Sequence, residues 1–215
     1  MEKNISRRNL IQNLAFATAG LGLMQLSSCR ETTKETKDEK ILKTLTPFYL
    51  PPSQPLQPGP GGIDIRTLIR SSQTNMQFSS VETAVAPKTM GPAPHLHKEF
   101  DEIMLVVEGT ATVWVDGKVE EIPTGGWHIR PRQIEHTFWN GSEKPLRFID
   151  MYFNQNFEDF LEELFHKIIP DMVKGNLTPA DPAIAKRFAD LDKKFGITSF
   201  PEKRQPLVEK YGLKG

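Results

Sequence analysis

GPAPHLHKEFDEIMLVVEG, Gly91 to Gly109, and GGWHIRPRQIEHTFWN, Gly125 to Asn140, bring three imidazoles and a carboxylate into play in a chain of 215 residues with only five histidines. His95 and His97 are two residues apart. On a strand, alternate side chains share a face, so both rings can reach one metal ion from the same side. Glu102 has the opposite parity, and the charged KEFDE run ahead of the apolar IMLVV is where a turn or bulge can re-aim it. His136 follows 34 residues after Glu102, in a run where Ile134, His136 and Phe138 alternate with Glu135, Thr137 and Trp139. That alternation predicts a strand delivering a third ring into the same interior.

These two stretches resemble the cupin superfamily. Its first motif reads Gly, five residues, His-x-His, three or four residues, Glu, six residues, Gly. His95, His97, Glu102 and Gly109 match at that spacing, while Gly91 stands only three residues before His95. The second motif reads Gly, five residues, Pro-x-Gly, two residues, His, three residues, Asn. Gly125, Pro131, His136 and Asn140 occupy its positions, with Gln133 in place of the turn glycine. Both departures fall in turns and bear on loop shape. The resemblance implies an all-β fold, a double-stranded β-helix or jelly-roll barrel. It also implies a mononuclear metal held by His95, His97, Glu102 and His136.

Other residues compete for a place in the site. His128 can face solvent or a cavity rim as well as a metal, and His166 falls in a helix-like segment where a polar-face role is the default. Trp114, Trp127, Phe138 and Trp139 lie near the ligands in sequence and can line an apolar cavity or simply pack the core. Glu99, Asp101 and Glu108 are candidate acids or bases, although outward-facing solvated carboxylates are the default for such residues.

The pattern around the motifs fits short strands joined by turns. Strand candidates fall at 63–70, 75–86, 101–108, 111–115, 118–122, 127–130, 134–139 and 146–153. Asp116-Gly117, between the alternating runs of VWVDGKVEEI, predicts a tight hairpin. Such spacing suits a sandwich or jelly-roll barrel. From Asn156 the period changes: Phe157, Phe160, Leu161, Leu164, Phe165 and Ile168 share one helical face, and Pro170 is expected to end that helix. Asp181 and Pro182 read as the cap and first position of a second helix that runs to Gly196. The two helices are expected to cover a face of the barrel, as a short C-terminal extension, or to contribute to a homodimer contact.

The N-terminus reads as an address. MEKNISRRNLIQNLAFATAGLGLMQLSSC has a basic segment, an apolar run from Leu14 to Leu26 too short for a comfortable membrane span, and small residues before a cysteine. Arg7-Arg8 resembles a twin-arginine signal, and LSSC resembles the lipobox of bacterial lipoproteins. The organisation expected is an export signal over 1–28, a polar tether over 29–46, a barrel with a Pro-rich lead-in over 47–155 and a helical extension over 156–215. The protein would then be exported, periplasmic or membrane-anchored in a bacterium, touching the membrane only through a lipidated Cys29. As the single cysteine, Cys29 would leave no partner for an intrachain disulfide. Removing Lys3, Arg7, Arg8 and Glu2 with the signal takes 27 charges of each sign to 24 positive against 26 negative, which gives no reason to expect a nucleic-acid partner.

Three neutral imidazoles and one carboxylate leave a divalent ion with net positive charge and, at six-coordination, two open positions. The expected cofactor is one divalent metal per chain, Fe, Mn, Ni, Cu or Zn, and the expected partner a small-molecule substrate or ligand. The leading expectation is a dioxygenase acting on a small phenolic or enolic compound, with Glu102 doubling as a base. The alternatives are a non-redox isomerase or lyase on a sugar-like or keto-acid substrate, and a non-catalytic small-molecule binding protein.

Overall fold

The structure, a computed structural model, describes residues 44–214. The expected export signal, the lipidated Cys29 and most of the tether lie outside those residues. The signal, lipoprotein and periplasmic expectations have no support in the described residues. Among the described residues no helix is long and apolar enough to cross a membrane.

The strands are β1 (Ile63–Ile69), β2 (Phe78–Val85), β3 (Thr89–Met90), β4 (His95–His97), β5 (Glu102–Glu108), β6 (Thr110–Val115), β7 (Lys118–Pro123), β8 (Trp127–Arg130), β9 (His136–Asn140), β10 (Leu146–Phe153) and β11 (Ile197–Ser199). They form two sheets, ordered β1-β2-β10-β5-β8 and β11-β4-β9-β6-β7, with β3 beside β9. The expected closed, all-β jelly-roll barrel is therefore corrected to a mixed α/β fold with two open sheets. The physical reason lies at the crossover. Pro123 ends β7 without an amide to donate, and the following turn spends its bonds on β5, Gly125 N–H donating to the Val106 carbonyl at 2.8 Å and Val106 N–H to the Gly126 carbonyl at 3.1 Å. The four-residue β8 thus pairs only with β5 and stays an edge. Asp116 (φ 46°) and Gly117 (φ 81°) are both left-handed, as the β6–β7 hairpin requires.

Alternation sorts side chains between the layers. Met104, Val106, Leu146 and Phe148 from one sheet meet Ala111, Val113 and Ile122 from the other, all buried. Each fully buried side chain of this size stabilises the fold by about 1.5–3 kcal/mol. A second cluster joins Ile65, Val81 and Tyr152 to the helices through Phe157, Phe160, Leu161, Ile184, Leu191 and Phe195.

The helical residues are not a simple appendage. Helices α1 (Phe157–Glu163) and α2 (Ile169–Gly175) are joined by a π-helical turn, Leu164–Ile168. Pro170 does not end the helix as expected. It sits in the first turn of α2, where its missing N–H is tolerated after the π turn has shifted the hydrogen-bond ladder. Asn176, left-handed at φ 49°, ends the run instead. Helix α3 (Pro182–Phe195) stops at left-handed Gly196 as the sequence suggests, but Asp181 does not cap it. Its carboxylate accepts from the Thr178 backbone and hydroxyl in the preceding turn. The chain then returns to the sheet as β11, alongside β4, before α4 (Arg204–Tyr211).

Candidate metal centre

The three histidines come from one sheet and the glutamate from the other. His95 and His97 lie on β4, and His136, the first residue of β9, stands in register with His95. Ring centroids are 4.6 Å apart for His95–His136, 4.9 Å for His95–His97 and 5.1 Å for His97–His136. One ligand atom from each falls within 4.8 Å of the others, a spacing that admits a single ion. Glu102 starts β5 in the opposite sheet, and its Oε1 lies 2.7 Å from His136 Nε2 and 3.6 Å from His97 Nε2. The parity problem raised by Glu102 is thus solved by a change of sheet between β4 and β5.

Two backbone carbonyls fix the rings. His95 Nδ1–H donates to the Ala93 carbonyl at 2.9 Å and His136 Nδ1–H to the Ile134 carbonyl at 2.9 Å. A carbonyl only accepts, so the proton sits on Nδ1 in both rings and Nε2 is turned inward with its lone pair. Burial, with the neighbouring imidazoles His136 and His97 adding to it, holds the His95 pKa well below the usual histidine value. Burial lowers His97 as well, against the pull of Glu102. Neutral rings are the form a metal ion needs.

The donor set fits an ion on a second ground. His97 is 1 % exposed and His136 0 % exposed, yet both nitrogens of His97 and Nε2 of His136 lack a hydrogen-bond partner. With its proton on Nδ1, His136 Nε2 meets Glu102 Oε1 at 2.7 Å as one acceptor facing another. Unpartnered buried polar atoms cost about 1–3 kcal/mol each. The three imidazoles, close together and with nitrogens unpartnered, form a cluster able to take a common cation.

Residues that the sequence reading passed over surround this set. Arg130, fully buried on β8 and in register with Glu102, places Nε 3.0 Å from Glu102 Oε1 and Nη2 2.5 Å from Asp150 Oδ1. Tyr152 donates its hydroxyl to Asp150 Oδ2 at 3.1 Å. Burial alone would raise the Glu102 pKa, but Arg130, His136 and His97 together outweigh it and hold the carboxyl well below the usual range. Asp150 goes the other way: burial, reinforced by Glu102, raises it to about 7 despite Arg130. The rings of Phe100 and Phe157 stand 4.1 Å and 5.1 Å from that of His97 and wall its far side. The alternation of HIR in β8 was the one available signal for Arg130, since it puts Arg130 on the face opposite the exposed Ile129.

The other expected residues separate. Phe138 stays near the site, with Arg130 Cζ 5.8 Å from its ring centre. Trp139 is buried on the reverse face of β9 with Met90 and Leu213, and Trp114 packs on that same cluster. Trp127 is 57 % exposed on the outside of β8. His128 points inward, but its Nε2 is 3.8 Å from Glu120 and it is not among the clustered ligands. His166 is on the helical side, 3.3 Å from Asp64. Asp101 is bound by Arg132 and pulled down to about 2, and Glu108 pairs with Arg147. Glu99 is exposed.

The turn residues have structural work. Gly91 approaches β9 so closely that a Cβ would lie 2.3 Å from the Phe138 carbonyl oxygen. Gln133 is left-handed, φ 63°, and its N–H donates to the His97 carbonyl at 2.7 Å. Asn140 is fully buried and gives its amide to the Val85, Ala86 and Lys144 carbonyls while accepting from Ser142.

Residues 81–152, which contain all four residues of the centre, match the family model Cupin_2, described as a cupin domain. That stretch, about a third of the chain, is similar to cupin domains. No curated protein sequence matches the chain. Solved structures similar to it include KdgF from Halomonas sp., 20 % identical, TM-score 0.41, over 46 % of this chain and 84 % of that one. A protein with a double-stranded beta-helix domain from Klebsiella pneumoniae is 19 % identical, TM-score 0.42, over 47 % and 84 %. A sugar phosphate isomerase of the cupin superfamily from Silicibacter pomeroyi is 21 % identical, TM-score 0.38, over 42 % and 60 %.

Proposed function

We propose that the chain is a metal-dependent enzyme, a dioxygenase acting on a small phenolic or enolic compound. The observation that supports this most is the convergence of His95, His97 and His136 with unpartnered nitrogens facing Glu102. One divalent ion per chain would be held by these four residues. When bound, such an ion supplies a Lewis acid and, if it is iron, manganese, nickel or copper, a redox centre at which dioxygen and an organic anion can meet.

The residues determine how that centre is presented. The Ala93 and Ile134 carbonyls orient two rings, so the ligand geometry is set before any ion arrives. Phe100 and Phe157 keep water from the back of His97. Arg130 keeps Glu102 ionised and directed inward. A carboxylate held that low is a weak proton acceptor, so Glu102 would have to leave Arg130 before acting as a base.

The test is oxygen uptake by protein loaded separately with iron, manganese, nickel, copper and zinc, against a panel of phenolic and enolic compounds. The expected result is oxygen consumed in step with substrate loss for a redox-active ion and none with zinc. Product formed equally well with zinc and without oxygen would instead indicate an isomerase or lyase on a sugar-like or keto-acid substrate. Saturable binding without turnover would indicate a binding protein.

A further inference from the structure

Inward side chains meet across the sandwich in rows, and the row behind the metal centre is not filled like a core. The first row sets Glu102 and Arg130 on one sheet against His136 and Val115 on the other. The next row along the strands sets Met104 and His128 against Phe138, Val113 and Glu120. Met104 and Val113 are buried. Phe138, Val115 and His128, although turned inward, keep part of their exposure, and Glu120 is exposed. Solvent therefore reaches the interior beside the centre, between the free edges of β7 and β8. Phe100 and Phe157 stand against His97 and close the approach from the helical side.

His128 brings an unsatisfied polar atom to this opening. Its Nδ1 is buried and has no hydrogen-bond partner. Its Nε2 lies 3.8 Å from Glu120 Oε2, too long for a hydrogen bond but near enough for the carboxylate to favour the proton on that nitrogen. Burial, with Arg130 adding to it, keeps the pKa of the ring below the usual histidine value against the pull of Glu120. A neutral ring protonated on Nε2 leaves Nδ1 as a lone-pair acceptor. The row of His128 and the row of Arg130 are one alternation apart on β8, on the order of 7 Å. A single six-membered ring spans that distance, and Phe138 and Val115 offer it apolar contact.

We propose that His128 is a specificity residue, its Nδ1 accepting a hydrogen bond from a hydroxyl that the substrate carries across its ring from the oxygen turned toward the centre. The substrate class narrows accordingly to 1,4-dihydroxy aromatic compounds, lying against Phe138 and Val115 with one oxygen toward His95, His97 and His136. This rests on the reading of the centre as a site for a phenolic compound. A buried acceptor without a partner is a cost that a bound donor removes, so a compound lacking the second hydroxyl is rejected. Glu120 acts through His128 by holding its tautomer.

Calorimetric binding of hydroquinone and of phenol to the zinc-loaded protein tests this without turnover. Hydroquinone is expected to bind about tenfold or more tightly than phenol. His128→Leu should remove that preference while keeping the zinc, counted by elemental analysis, whereas His128→Asn, whose Oδ1 can stand for Nδ1, should retain most of it. Glu120→Gln, at an exposed edge position, should reduce the preference and serves as the test even where His128→Leu does not fold. Equal binding of the two compounds by the wild type, or a preference that survives His128→Leu, overturns the proposal and leaves the phenolic reading standing. Failure of both compounds to bind overturns the phenolic reading itself and the role of His128 with it. Loss of zinc from His128→Leu would make His128 a metal ligand and also overturns the proposal.

Discussion

Glu102 and Asp150 share one buried cation, Arg130, and that shortage of positive charge shapes the residues around the centre. Arg130→Met would leave two carboxylates without a counter-charge, and a loss of about 3–5 kcal/mol in urea unfolding of the metal-free protein is expected. The pH dependence follows from the sharing. A carboxyl raised to about 7 from an unfolded value of about 3.9 contributes its stability in the neutral form. That contribution is full below pH ~4 and is lost as pH rises through ~7. His95 and His97, lowered by burial, act in the opposite sense, and their stability is lost as pH falls below ~6.5. Asp150→Asn removes only the first effect, so metal-free stability should climb more steeply between pH ~4 and ~6.5 in the variant. Unfolding curves across that range check it, and an unchanged slope would mean that Asp150 is ionised throughout. Gln133 is a different kind of residue-scale cost. It holds a left-handed turn at φ 63° that glycine adopts freely, so Gln133→Gly should stabilise the fold by about 0.5–1 kcal/mol. A lower melting temperature in that variant would show that the side chain matters more than the backbone.

The elements carry the site to its geometry through pairings that span the chain. Helix α1 closes one end of the sandwich by stacking Phe157 on Phe160 and setting its ring against His97 and Phe100. Phe157→Ala should cost about 3–5 kcal/mol and, by loosening His97, weaken metal binding measured by chelator competition. Unchanged affinity would separate helix packing from the site. Most strands were legible because period-two alternation and turn residues are local: the Asp116-Gly117 hairpin and the strand over 146–153 fall where the pattern puts them. The π turn before Pro170 and the strand β11 were not. The first is a choice between two hydrogen-bond ladders, and the second is three residues whose pairing partner, β4, lies about a hundred positions earlier in the sequence. Local pattern reports neither.

At the scale of the whole molecule, the sequence offered a candidate site but not the manner in which the sheets end. His95, His97, His136 and Glu102 were readable from spacing and resemblance, whereas Arg130 and Asp150 reach the centre only through cross-strand register. Sheet closure depends on edge strands that Pro123 and the Gly125–Gly126 turn prevent from pairing, so open sheets replace the expected barrel. With unpartnered nitrogens buried between those sheets, the metal-free protein should gain most from an ion. Saturation at a hundred times the dissociation constant is worth about 2.7 kcal/mol, or a melting temperature about 5–10 °C higher for a domain of this size. His136→Ala should abolish that rise.

The most direct measurement is elemental analysis of the wild-type protein, purified without a metal-binding tag, beside His97→Ala and His128→Ala. Near-stoichiometric metal in the wild type, retained in His128→Ala and lost in His97→Ala with the fold intact, is the predicted result. Metal content unchanged in His97→Ala, or lost in His128→Ala, would contradict the ligand set.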